Sequence, residues 1–126
     1  MFEYHGWVNV IETATAEEQD PAVLHAIADG LRQRIAATGG RHLLDLRWSN
    51  GALFLHLGGL RNHPDPDVLG LFREVGERAP GSYGLLHVRD DAHLNEARVL
   101  RMVRGRVSEH REALLSPCIP LLEDEF

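Results

Sequence analysis

The chain has a single cysteine, Cys118, so no disulfide can close within it. That fits a reducing compartment. No apolar run approaches the roughly 20 residues that span a bilayer. The opening residues, "MFEYHGWVNVIE", carry Glu3 early and no basic stretch, and no small-residue cleavage site follows. They do not read as a secretory leader. The expectation is a soluble, cytoplasmic protein with no membrane partner. A basic excess is also missing: 19 acidic residues face 13 basic ones, a net charge of −6 with neutral histidines. A nucleic-acid partner needs a basic face to replace counterions, and this balance argues against one. It suits a basic protein partner drawn in by long-range attraction.

Signatures of chemistry are scarce as well. None of the eight histidines lies at H-x-H or H-E-x-x-H spacing, so neither a metal nor another cofactor is expected. Gly39-Gly40 and Gly58-Gly59 belong to no G-x-G-x-x-G or Walker pattern. Cys118 sits in "SPCIP" with no basic neighbour closer than Arg111. Nothing local lowers its pKa, and a small buried apolar role is expected. Asp45 and His56 fall opposite each other in a hairpin, which is two-thirds of a catalytic triad. Ser49 lies at the turn and supplies no nucleophile on that face. A cross-strand ion pair explains the two residues equally well.

What is present describes one ordinary α+β domain spanning residues 1–126. "FEYHGWVNV" is rich in aromatic and β-branched residues and reads as a strand, central or covered, with Gly6 marking a bulge or a close backbone approach. Asp20-Pro21 opens a helix whose stripe is Leu24, Ile27, Ala28, Leu31 and Ile35, with Gly39 as its stop. Asn50-Gly51 is the favoured pair for a type I′ hairpin turn. Pairing outward from it puts Leu44, Leu46, Trp48, Leu53, Leu55 and Leu57 on one face and Asp45, Arg47, Phe54 and His56 on the other. Asp65-Pro66 opens a second helix, which Pro80-Gly81 ends. "YGLLHV" follows as a strand, and residues 97–107 read as another, with helix as the competitor. The order is β-α-β-β-α-β-β, a mainly antiparallel sheet with two helices on one face. Residues 112–126 are expected to form an extended C-terminal arm.

The blocks "FEYHGWVNV", "LDLRWSNG" with "LHLGGLRNH", "APGSYGLLHVRDD" and "LSPCIPLLED" run in one order along the chain. In that order they resemble the immunity protein 7 family of bacterial polymorphic toxin systems. The resemblance rests on Trp7, Asn50, Gly51, the run Pro80, Gly81, Ser82, Tyr83 and Gly84, and on Ser116, Pro117, Cys118 and Pro120. It implies a binding protein without catalytic activity. Such a protein neutralises the C-terminal domain of a toxin by occlusion in a heterodimer, and is a monomer or weak dimer when free. In that view residues 80–88 are scaffold. Asp90, Asp91 and Arg89 are then a candidate toxin-binding edge, with Glu123 and Asp124 as a second acidic patch. Two rival classes stay open: a small enzyme using Asp45, His56 or Cys118, and an adaptor module unrelated to toxins.

Overall fold

The computed structural model describes residues 1–91 and 96–117. Six strands form one antiparallel sheet: β1 (Phe2–Val10), β2 (Leu43–Ser49), β3 (Ala52–Arg61), β4 (Tyr83–Asp90), β5 (Arg98–Val103) and β6 (Arg106–Arg111). Their spatial order is β2-β3-β1-β4-β5-β6, so β1 is central. Helix α1 (Pro21–Ala36) links β1 to β2, and α2 (Pro66–Arg78) links β3 to β4.

Both helix starts follow from local chemistry. The Asp20 carboxylate accepts from the Ala22 amide at 2.9 Å, and the Asp65 carboxylate accepts from the Asp67 amide at 2.9 Å. Proline follows each cap, where its missing N–H costs nothing. Helix α1 ends at Ala36, and the turn after it reaches Gly39 and Gly40, both at positive φ.

The topology explains why both helices lie on one side. β1 and β2 are each antiparallel to β3, hence parallel to each other; β3 and β4 are likewise parallel across β1. The two crossovers start from antiparallel strands and step in opposite directions. For a common hand of crossover the two reversals cancel, and both helices cover the same face.

That face holds the core. Tyr4, Val8, Leu55, Leu86 and Leu100 meet Leu31, Leu71, Phe72 and Val75 there, all fully or almost fully buried. The hairpin register is the one Asn50-Gly51 requires, with Leu46 opposite Leu55 and Asp45 opposite His56. Leu44, Leu46 and Trp48 pack against the core from the sheet edge.

One expectation changes. Residues 97–107 are not one strand but most of a hairpin, which adds β6. Its turn is Arg104-Gly105 at φ 50° and 71°, the left-handed pair of a two-residue I′ loop. Arginine stands there in place of the usual asparagine, and the turn escapes notice in the sequence. As expected, β1 is central; among the described residues helices cover one of its faces, and Trp7 belongs to the other. The beginning of the expected arm is a series of turns. The Glu112 amide donates to the Ala97 carbonyl at 2.7 Å, and the Ser116 hydroxyl accepts from the Ala97 amide at 2.6 Å. Cys118, Pro120, Glu123 and Asp124 lie outside the described residues.

Candidate functional site

The "PGSYG" block is a clamp. Ser82 is fully buried, and its hydroxyl accepts from the Ile11 amide at 3.0 Å. The Gly81 amide donates to the Ile11 carbonyl at 3.0 Å. A Cβ on Gly81 would lie 2.4 Å from the Thr13 backbone, and one on Gly84 would lie 2.1 Å from the Trp7 carbonyl oxygen. Only glycine lets these backbones approach so closely. The block therefore docks the start of β4 against the end of β1, and Tyr83 alone of its side chains points to the open face.

The three residues of the acidic edge do not act together. Arg89 lies on the open face, with Nη1 3.6 Å from Glu3 Oε1. Asp90 shares the parity of Leu86 and Val88 and turns toward the helix side, where it is 7% exposed. Its carboxylate is 2.7 Å from Arg98 Nη2, and Arg98 Nη1 reaches Glu109 at 2.6 Å. Asp91 is exposed and pairs with the N-terminal ammonium of Met1. Alternation along β4 already carried this signal: Leu86, Val88 and Asp90 must share a side.

A second polar cluster went unnoticed in the sequence because three distant elements build it. Tyr4 comes from β1, His42 from the residue before β2, and Asp65 from the cap of α2. The Tyr4 hydroxyl is hydrogen-bonded to His42 Nδ1, and His42 Nε2 lies 3.1 Å from Asp65 Oδ2. The second contact is close but poorly aligned for a hydrogen bond, so its contribution is electrostatic. Gly59 makes room, since a Cβ there would fall 2.4 Å from the Tyr4 hydroxyl. Burial lowers the His42 pKa; Arg61 and Arg41 push the same way, against the pull of Asp65 and Asp67. Burial and then Asp65 raise the Tyr4 pKa, against Arg61. The neutral pair is favoured, with the Tyr4 hydroxyl donating to Nδ1 and the imidazole proton on Nε2 beside Asp65.

Carboxylate, imidazole and hydroxyl in series match the order of a catalytic relay. Access rules out that use: Tyr4 is fully buried and the His42 side chain is 1% exposed. The cluster seals the core beneath the start of α2. Asp45 and His56 do sit opposite each other, yet Asp45 Oδ2 pairs with Arg47 Nε at 2.8 Å and the His56 ring lies 6.4 Å from that of Phe54. A cleft of about 540 Å³ lies between the start of α1 and the tip of the β2–β3 hairpin, where His25 lies against Trp48 at 4.8 Å. It contains none of these residues.

The other side of the sheet is open among the described residues, except near Glu3, His5, His87 and Arg89, which line a cleft with Glu112 and Leu115. One row crosses all six strands there: Asp45, His56, Trp7, Leu85, Arg101 and Ser108, in spatial order. Trp7 meets Tyr83 edge to face at 5.9 Å, and the Asn9 amide donates to the Tyr83 hydroxyl at 3.1 Å. Among the described residues no helix covers this side, and none is long and apolar enough to cross a membrane.

The model of one family, immunity protein 7, matches residues 1–124. The chain belongs to the immunity protein 7 family. No curated protein and no solved structure matches it. Family membership makes it a toxin immunity protein and points to a non-enzymatic role. The two sealed or self-paired clusters accord with that role. Of the signature blocks, Gly81, Ser82 and Gly84 hold β4 against β1.

Proposed function

We propose that this protein neutralises the C-terminal domain of a cognate polymorphic toxin by binding it as a heterodimer and covering its active surface. In this reading it does no chemistry and works in the cytoplasm of the producing bacterium. The family match over residues 1–124 carries the proposal. The geometry supports it in two ways. The relay of Asp65, His42 and Tyr4 is closed to any substrate. A broad sheet face is available to a partner, and protein docking needs area and complementarity more than concavity.

The test is co-expression with the toxin domain encoded beside the gene. Cells should survive and the two chains should purify together. Death of the cells with full expression of both chains would defeat the proposal.

A further inference from the structure

We propose that the open face of the sheet, centred on Trp7 and flanked by Arg101 and Arg106, docks an acidic protein surface on the toxin domain. This rests on the toxin-binding reading above and names the face and the chemistry of the partner.

The first observation is how charge divides within an acidic chain. The open face carries Arg47, Arg89, Arg101 and Arg106 against Glu3 and Asp45. Both carboxylates are already engaged, Glu3 by Arg89 and Asp45 by Arg47. Arg101 and Arg106 have no ion pair among the described residues. Helices α1 and α2 carry no such excess: four acids, Asp29, Asp67, Glu74 and Glu77, stand against four arginines. The net charge of −6 therefore hides a cationic face.

The second observation is apolar. Leu43, Leu60, Tyr83 and Val103 are among the most exposed large hydrophobic residues, at 70%, 68%, 43% and 38%, and register places all four on this face. Trp7 lies between them, braced edge to face by Tyr83. An aromatic anchor with arginines around it is the composition of a protein-binding hot spot.

The third is that all 13 basic residues are arginine. A guanidinium pairs with a carboxylate in a bidentate fork and stacks on aromatic rings. Such a face selects carboxylate-bearing protein. A nucleic acid would need many more cations than these to replace its counterions. This contact has the opposite polarity to one made through the Asp90–Asp91 edge. Asp90 is committed to Arg98, and the cations sit where a partner can reach them.

The test uses the intact protein and the purified toxin domain encoded beside its gene, with circular dichroism confirming each fold. Trp7→Ala should weaken binding by about 30-fold or more. Arg101→Glu with Arg106→Glu should slow association by about 10-fold or more and flatten its salt dependence. Asp29→Arg, on the helical side, should leave affinity within about twofold, as expected for a site outside the interface. Wild-type affinity with both face variants would overturn the inference alone. So would loss of binding only on removing residues 118–126, preferential binding of an RNA or DNA duplex through these arginines, or their use in self-association. If the wild type does not bind the toxin domain, the toxin reading and this face fall together.

Discussion

The Asp90 carboxylate lies 2.7 Å from the Arg98 guanidinium on the helix-covered side of the sheet, and Asp91, one residue on, points into solvent. Neighbouring acids thus have opposite physical roles. Asp90→Lys leaves a buried cation facing Arg98 and should cost about 3–5 kcal/mol. Asp91→Lys breaks only an exposed pair with the chain terminus and should change stability by less than about 1 kcal/mol. Urea denaturation of both variants checks the contrast, which equal midpoints would refute.

His42 gives the fold a pH dependence of known sign. Its pKa is lowered in the folded protein, chiefly by burial. The unfolded chain therefore binds the proton more readily, so the histidine's contribution is complete above about pH 6.5 and fades as pH falls below it. The slope from one proton cannot exceed about 1.4 kcal/mol per pH unit. His42→Gln should be less stable at pH 8 and should flatten the profile between pH 5.5 and 7. At the alkaline end, the raised pKa of Tyr4 means that stability falls above about pH 10, as the hydroxyl of the unfolded chain ionises first.

Two glycines of α2 should answer alanine in opposite directions. A Cβ at Gly76 would lie 2.2 Å from the Gly105 carbonyl oxygen, where the helix rests on the β5–β6 turn. Gly76→Ala must push that hairpin away and should cost about 1–3 kcal/mol. Gly70 has open space around its Cβ position. Gly70→Ala should add about 0.5–1 kcal/mol through helix propensity. Thermal melts of the two proteins should move apart.

Ser82→Ala removes the hydroxyl that accepts from the half-buried Ile11 amide. An unsatisfied amide there should cost about 1–3 kcal/mol. Toxin binding should persist wherever the fold does, because Ser82 belongs to the scaffold. A variant that folds normally yet fails to bind would place this block in the interface.

What the sequence made legible was local. Asp20-Pro21, Asp65-Pro66 and Asn50-Gly51 each settle a boundary within a few residues, and alternation then sorts the hairpin leucines from Asp45 and His56. Arg104-Gly105 was not legible, because an arginine at positive φ is rare and β6 is mostly polar. The Tyr4–His42–Asp65 cluster joins residues 38 and 23 positions apart, through connections that no spacing rule encodes. The cationic face was hidden by the total charge. Only the pairing of β1, β4, β5 and β6 in series places Trp7, Arg101 and Arg106 on the same side.

Titration of the toxin domain's activity with this protein tests the proposed mechanism most directly. Occlusion without chemistry predicts that inhibition is complete at one immunity molecule per toxin, is reached as fast as the two associate, and reverses when they are separated. Progressive and irreversible inactivation by substoichiometric amounts would contradict it, because one molecule would then be acting on many.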